Sequence, residues 1–138
     1  MRIAVCLDDG GGMLFGGRRQ SRDRVLLADV FADAAAHGGR LLINEFSKKL
    51  LDSEGVGYYL CDDMLALAED TDTCFVENLR LCDHIDRISE IIIYRWNRKY
   101  PSDFLLDIDP EALGFSKTSS AEFVGSSHDK ITKEIFVK

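Results

Sequence analysis

The sequence reads GGGMLFGGRRQSRDRV from Gly10 to Val25, directly after a short apolar segment at Arg2–Leu7. We expect this segment to be a buried first strand and the glycines around Met13–Phe15 to form two turns that enclose a buried apolar plug. Ser21 is a good N-cap for a helix from about Arg22 to His37. Any ligand of the protein is expected to contact this stretch. The apolar face of the helix should contain Leu26, Leu27, Val30, Phe31 and Ala34.

The rest of the chain alternates between the patterns of strands and helices. Strands are expected at Arg40–Ile43, Gly57–Cys61, Thr73–Glu77, Ser89–Trp96 and Ile131–Val137, and helices from Asn44 to about Ser53 and from Asp63 to about Glu69. This order predicts an α/β fold whose mixed sheet is mainly parallel, has antiparallel C-terminal strands and is flanked by helices. Because no repeat or linker interrupts them, residues 1–138 are expected to form a single domain.

The overall composition excludes several classes of protein. An apolar share of 46% and a charged share of 30% are typical of a soluble globular chain. No apolar run approaches the roughly 20 residues that span a bilayer, so no membrane association is expected. The first residues do not resemble a signal peptide, which makes the cytoplasm the expected location. The net charge of −7 argues against general nucleic-acid binding.

The positive charge is concentrated in two short clusters. The first is Arg18, Arg19, Arg22 and Arg24, and the second is Arg95, Arg98 and Lys99. In an acidic protein, two compact basic clusters suggest one anion site instead of a basic surface. The alternative is a solvated helix start for the first cluster and a solvent-facing strand end for the second.

Each cluster has a specific binding hypothesis. Guanidinium groups of the first could clamp a phosphate or carboxylate at the start of a helix, where free N–H groups also point. The segment from Tyr94 to Tyr100 interleaves rings and cations, so Arg95, Trp96, Arg98 and Lys99 could stack on a base and contact a phosphate.

The cysteines and histidines do not form a recognisable catalytic or metal-binding pattern. Cys6, Cys61, Cys74 and Cys82 lack CxxC spacing and are expected to be reduced structural thiols, and no metal site is expected. No Ser-His-Asp or Cys-His arrangement has supporting context. His128, between Ser127 and Asp129, is interpreted as a turn residue.

Several segments occur in a familiar order. Gly12–Met13 stands at a turn after the first strand, and Asp23 lies near the start of a helix. The late segments are IIIY at Ile91–Tyr94 followed by YPSDF at Tyr100–Phe104, and then GSSH at Gly125–His128 followed by EIF at Glu134–Phe136. This order resembles that of dihydrofolate reductase. The resemblance implies that fold, with Asp23 in the place of the catalytic acid.

The departures from that family fall on its cofactor and substrate pocket. The segment Arg18–Gln20 stands where the family has a Pro-Trp pair that lines the nicotinamide and pterin pocket. Asn44 and Glu45 replace a glycine and a basic residue that hold the cofactor phosphates, and a glutamate there would repel a phosphate. Glu77 and Asn78 replace a double glycine that lets the backbone approach the pyrophosphate. The resemblance therefore implies a retained fold and a lost NADPH site.

The segments GMLFGGRRQSRDRV and YRWNRKYPSDF also resemble a group of small bacterial proteins sometimes labelled ribonuclease Z. That label implies a zinc-dependent nuclease with clustered histidines. The three histidines here, His37, His84 and His128, are far apart in the sequence. A two-metal site needs several clustered histidines and carboxylates, so the sequence does not support the label.

Three functions remain consistent with the sequence, in the following order. The first is a non-catalytic binder of a nucleotide or other small anionic ligand, which would use Arg18, Arg19, Gln20, Arg22 and Arg24 together with the second basic cluster. The second is a divergent NADPH-dependent reductase with Asp23 as its acid, so NADPH stays a possible cofactor. The third is a protein-interaction subunit or a homodimer joined at an exposed strand edge.

Overall fold

The computed structural model describes residues 1–138. The strands are β1 (Arg2–Leu7), β2 (Gly12–Phe15), β3 (Arg18–Arg19), β4 (Leu41–Ile43), β5 (Tyr59–Leu60), β6 (Thr73–Phe75), β7 (Glu90–Arg95), β8 (Phe104–Leu105), β9 (Ser116–Phe123) and β10 (Ile131–Val137). The helices are α1 (Arg24–Ala36), α2 (Glu45–Glu54) and α3 (Met64–Leu67), and two 3₁₀ segments lie at Cys82–Arg87 and Glu111–Leu113.

Seven strands form the main sheet, in the order β5-β4-β6-β1-β7-β10-β9. The first five strands in this order, β5, β4, β6, β1 and β7, are parallel to one another. β10 runs antiparallel to both of its neighbours, β7 and β9. β1 lies at the centre of this sheet because its short apolar sequence can be buried on both faces. The expected mixed sheet, mainly parallel with antiparallel C-terminal strands, is confirmed.

The core has two apolar layers, one on each face of the sheet. One layer contains alternate residues of the central strands, such as Ile3 and Ile91, packed with α3. The other contains the intervening residues, such as Ala4 and Ile92, packed with α1 and α2. This alternation follows from the two-residue period of a strand. No helix combines the length and the apolar composition that crossing a membrane requires.

The glycine-rich stretch forms a second, three-stranded sheet in the order β3-β2-β8. Met13 and Leu14 are buried, as expected for a plug, but Phe15 is 54% exposed. Phe15 is the last residue of β2 and precedes the turn at Gly16 and Gly17, so its side chain falls outside the packed part of the small sheet. Both glycines have positive φ, which an L side chain adopts only with strain.

Helix α1 begins two residues later than the sequence predicted. Its N-cap is Asp23 and not Ser21, because Asp23 Oδ1 accepts a hydrogen bond of 3.1 Å from the Leu26 N–H. Phe31, expected on the buried face, is 45% exposed. It lies at the margin of that face, where its ring passes close to Gly57.

Strand β9 was not expected from the sequence. Its residues read SKTSSAEF and nearly all of them are exposed, so it lacks the apolar alternation of a half-buried strand. It forms because its backbone pairs along β10 at the edge of the sheet. β5 and α3 are shorter than expected. α2 ends at Glu54, one residue beyond the expected end, and its C-cap Gly55 is in a left-handed conformation.

Arg2 joins the amino ends of β6 and β7 to the last turn of α1 through a buried network. Its guanidinium donates to Glu90 Oε2 at 2.7 Å, to Thr73 Oγ1 at 2.8 Å and to Asp33 Oδ2 at 2.5 Å. Removing one partner of a buried ion pair leaves the remaining charges uncompensated. The network therefore links α1, β6 and β7 to the first residue of β1.

We expect Arg2→Ala to lower the free energy of unfolding by about 3 kcal/mol, because Glu90 would stay partly buried without its cation and Asp33 would keep only Lys133. Urea denaturation at pH 7 measures the change. Lys48→Ala is the control, because the Lys48–Asp52 pair is exposed and its loss should cost less than about 0.5 kcal/mol. Equal destabilisation by both substitutions would contradict the assigned role of Arg2.

Candidate functional site

A narrow cleft opens at the carboxyl ends of β6, β1 and β7, which are neighbours in the sheet. The space that a water-sized molecule can enter is about 20 Å³, and the volume reaches about 380 Å³ only with the open solvent at its mouth included. Crevices at the carboxyl ends of parallel strands are the usual ligand sites of open α/β sheets. The residues that line this cleft are Cys6, Met13, Arg19, Gln20, Ser21, Arg22, Asp23, Leu26, Leu27, Leu50, Phe75, Val76, Glu77 and Trp96.

The main charged pair of the cleft joins the glycine-rich stretch to the end of β6. Arg19 Nε and Nη2 donate to the two carboxylate oxygens of Glu77, both at 2.8 Å, which is the bidentate fork of an arginine on a carboxylate. Ser47 donates a further hydrogen bond of 2.7 Å to Glu77 Oε1. The hydrogen bonds to Glu77 raise the pKa of Arg19, and the guanidinium also lies over the Phe46 ring. An internal carboxylate thus occupies the anion-binding face of Arg19.

Asp23 is buried and its carboxylate is fully engaged. Oδ1 accepts from the N–H groups of Leu26 and Ser126, and Oδ2 accepts from the N–H of Ser127 at 2.8 Å. The Ser127 hydroxyl lies 3.1 Å from Oδ2 and donates its proton to the nearer carbonyl oxygen of Arg22, at 2.6 Å. Burial alone would raise the pKa of Asp23, but the hydrogen bonds from these backbone N–H groups outweigh it and hold the pKa well below its usual value. The catalytic assignment of Asp23 stays a prediction, and this geometry favours a structural anion over a proton donor.

His128 lies beside Asp23, 105 residues away in the chain, at 3.3 Å from Nδ1 to Asp23 Oδ2. Its Nε2 faces two hydroxyl groups, Ser21 Oγ at 3.1 Å and Tyr100 Oη at 3.0 Å. The ring is buried and stacks on Trp96 with 4.5 Å between centroids. His128 does lie in the turn region after β9, as interpreted from the sequence, but it also joins the wall of the cleft to the N-cap of α1.

The sequence offered one signal for this contact. The segment Gly125–His128 was matched to the closing hairpin of the reductase family, and Asp23 was matched to its acid. The contact between those two segments could have been expected from the resemblance, but the spacing of Ser21, Asp23 and His128 alone gives no sign of it.

Gln20 also lines the cleft. Its amide nitrogen donates to Asp8 Oδ2 and to the carbonyl oxygen of Pro101, both at 3.1 Å. Its Oε1 is buried and has no hydrogen-bond partner. A buried acceptor without a partner is costly. Because Oε1 has almost no accessible surface, a donor group in the cleft would reach it only after the Gln20 side chain moves.

The structure separates the four arginines of the first basic cluster. Arg19 and Arg22 line the cleft, and Arg22 donates to Glu54 Oε1 at 2.5 Å and to Ser53 Oγ at 2.8 Å. Arg18 and Arg24 are exposed, form no ion pair and do not line the cleft.

The second basic cluster does not join the first. Neither Arg95 nor Arg98 nor Lys99 lines the cleft. Trp96, which follows Arg95, does line it, and its largely buried indole forms part of the wall. Arg95 pairs with Glu134 on the neighbouring strand β10. Arg98 lines a shallow groove on the other side of Trp96, and Lys99 lines neither space.

Two helix starts near the cleft are closed by carboxylates. The N–H of Glu45, at the start of α2, donates to Asp62 Oδ1 at 2.8 Å. The N–H groups of Leu81 and Cys82, at the start of a 3₁₀ segment, donate to the carboxylate of Asp107. Neither start presents these N–H groups to a phosphate.

The thiols of the protein include one at the cleft. Cys6 lines it, and burial raises the pKa of its thiol well above the usual value. Burial raises the pKa of Cys74 to about 12. All four cysteines are free, and no group of His, Cys, Asp and Glu side chains is arranged to hold a metal ion.

We expect Asp23→Asn to destabilise the protein by about 2 kcal/mol at pH 7, because an amide nitrogen cannot accept the hydrogen bonds made to one carboxylate oxygen. Since the pKa of Asp23 is lowered by folding, its contribution is complete above the unfolded pKa of about 3.9 and is lost as the pH falls through the folded pKa. The stability difference between wild type and variant should therefore shrink below about pH 4.

Urea denaturation at pH 7, 4 and 3 measures that difference. Asp86→Asn is the matched control, because Asp86 is exposed and makes no hydrogen bond, so its substitution should leave stability unchanged. A difference between wild type and Asp23→Asn that stays constant with pH would contradict the role of the carboxylate.

No protein-family model matches this sequence, and no curated protein matches it significantly. Among solved structures, the chain is similar to a dihydrofolate reductase from Enterococcus faecalis that was solved with NADP(H) and the compound RAB-propyl. The two share 14% sequence identity with a TM-score of 0.65, and the match covers 99% of this chain and 95% of that one. At this identity the similarity concerns the fold alone. The chain therefore has a dihydrofolate reductase-like fold.

Proposed function

We propose that the protein binds a small anionic ligand with a planar apolar part in the cleft, and that nucleotides are the class that fits best. The observation that carries the proposal is the Arg19 guanidinium, which lies at an apolar cleft and is held by the carboxylate of Glu77. In this reading Glu77 occupies the position that a phosphate or carboxylate of the ligand takes.

The exchange of Glu77 for a ligand anion is chemically reasonable. Phosphate and carboxylate both match the planar fork of arginine in a bidentate manner. Glu77 keeps the hydrogen bond from Ser47 when Arg19 turns to another anion, so its displacement would not leave it without a donor. Arg22 at the same cleft adds a second cation for a more highly charged ligand.

The walls of the cleft suit a flat ring. Leu27, Leu50 and Phe75 supply apolar area, and the indole of Trp96 provides an aromatic edge. The free acceptor Gln20 Oε1 could receive a hydrogen bond from an amino group of a base. An anion, a ring and a donor group together describe a nucleotide better than a simple inorganic anion.

The binding mode differs from the one implied by the family resemblance. That resemblance places cofactor phosphates at Asn44–Glu45 and at Glu77–Asn78, where Asp62, Glu77 and the Asn44–Asn78 side-chain hydrogen bond now lie. These groups disfavour the phosphates of NADPH. Together with the ionised state of Asp23, they place the reductase alternative second. The interaction subunit or homodimer, which would use a strand edge, is third.

We expect Arg19→Ala to weaken the binding of AMP by about tenfold or more, since a charge-assisted hydrogen bond is worth roughly 1.5–3 kcal/mol. Quenching or enhancement of the fluorescence of Trp96, the single tryptophan, reports binding because its indole lines the cleft. Arg18→Ala is the matched control: it removes the same charge from the neighbouring residue, outside the cleft, and should change affinity by less than about twofold.

Equal weakening by the two arginine variants would show a diffuse charge effect and contradict the proposal, as would the absence of saturable binding of AMP and of pyrophosphate. NADPH is titrated in parallel. Micromolar affinity for NADPH that exceeds the affinity for AMP would favour the reductase alternative.

We expect Glu77→Gln to strengthen the binding of AMP by about threefold or more, because the ligand no longer competes with a carboxylate for Arg19. Isothermal titration calorimetry at fixed ionic strength measures the change. Glu122→Gln is the control, because Glu122 is exposed on β9 and pairs with Lys130 instead of a cleft arginine. If Glu77→Gln weakens AMP binding, Glu77 supports the site instead of competing for it.

A further inference from the structure

His128 is held in one tautomer by the groups around Nδ1. Asp23 Oδ2, at 3.3 Å, only accepts hydrogen bonds because the carboxylate is ionised. Ser127 Oγ, at 3.0 Å, is also 2.6 Å from the carbonyl oxygen of Arg22, to which it donates, so a lone pair of this hydroxyl is free to accept. Both neighbours therefore accept from Nδ1, which must hold the proton. In the neutral imidazole, Nε2 consequently presents a lone pair.

That lone pair faces the hydroxyl of Ser21. The distance from Ser21 Oγ to His128 Nε2 is 3.1 Å, within the range of a hydrogen bond between a nucleophile and its base. Ser21 is partly exposed and lines the cleft, so a ligand there can reach its oxygen. Tyr100 Oη, at 3.0 Å from the same nitrogen, competes with Ser21 for the lone pair.

We propose that Ser21, His128 and Asp23 form a nucleophile, base and carboxylate array that hydrolyses a small ester or thioester bound in the cleft. The order from hydroxyl to imidazole to carboxylate is the one that activates a serine in acyl transfer, and it recurs on unrelated folds. Asp23 acts as a positioning residue, because it fixes the tautomer of His128 and does not itself contact the substrate.

The chemical step uses only these groups and water. Ser21 Oγ attacks the acyl carbon and its proton passes to His128 Nε2, and the resulting oxyanion lies in the cleft with the cations Arg19 and Arg22. The C–O or C–S bond breaks, and the leaving oxygen or sulfur takes the proton from Nε2. Water then attacks the acyl-serine, its proton passes through Nε2 to Ser21 Oγ, and the acid is released.

A purely structural role of Asp23 and His128 would not require the contact between His128 and Ser21. Asp23 and the Ser127 segment cap α1 through backbone N–H groups, and that function is complete without Ser21. The contact between the Ser21 hydroxyl and His128 Nε2, at the wall of the cleft, is the additional feature that acyl transfer explains. The inference shares the cleft with the proposed function and rests on it for the position of the substrate.

The test is covalent labelling of the full chain by a fluorophosphonate probe, with the modified residue identified by mass spectrometry. We expect one adduct, on Ser21, and hydrolysis of p-nitrophenyl acetate that falls at least about tenfold in Ser21→Ala. Tyr100→Phe should label about twofold faster or more, since Ser21 no longer shares Nε2. Ser119→Ala, at an exposed serine of β9, is the control and should behave as wild type.

The outcomes separate the two proposals. Thermal unfolding first establishes that Ser21→Ala is folded, and AMP binding is measured on the wild-type chain. Saturable AMP binding without a probe adduct on Ser21 overturns the acyl-transfer inference alone. An adduct on Ser21 without AMP binding overturns the nucleotide proposal alone. Labelling that is unchanged in Ser21→Ala, or spread over several exposed serines, also overturns the inference.

Discussion

The buried carboxylate of Asp23 is the constraint on which the geometry of the site depends. An ionised group with no exposed surface must be surrounded by donors, and here they come from the start of α1 and from the loop between β9 and β10. Gly125 is required for this approach, because a Cβ at that position would lie 2.3 Å from Asp23 Oδ2. The same carboxylate orients His128, and through it Ser21, at the wall of the cleft.

A second constraint is the pair of Arg19 and Glu77, which joins the small sheet to the end of β6. The stretch that carries Arg19 turns at Gly16 and Gly17, both with positive φ, so its path is set by the backbone before the ion pair forms. Because the pair is only partly exposed, it is screened less than a surface salt bridge. It therefore holds the cleft narrow in the absence of a ligand.

The fold was accessible from the sequence because its strands and helices follow strong local patterns. The β-branched residues of β10 predicted its bounds correctly. The helical period of α1 predicted its buried face correctly, apart from Phe31. The N-cap was misplaced because Ser21 and Asp23 are both good capping residues. The choice between them depends on Ser126 and Ser127, which lie more than 100 residues away. The contacts of His128 with Ser21 and Asp23 escaped for the same reason, since those residues are more than 100 positions away. Strand β9 escaped because its exposed residues lack apolar alternation and it is held by backbone pairing with β10.

The arginine cluster has a different meaning in the structure than its density in the sequence suggests. Positive charge near a helix start opposes the macrodipole, but the ionised N-cap Asp23 compensates α1, and Glu54 neutralises Arg22. Those charges therefore need no bound anion to explain them. Arg19 differs, because its partner Glu77 lines the cleft and already accepts hydrogen bonds from Nε and Nη2 of its guanidinium. Under the proposed function, a ligand must offer Arg19 more than Glu77 does, which favours a doubly charged phosphate over a carboxylate and would make the site selective among anions.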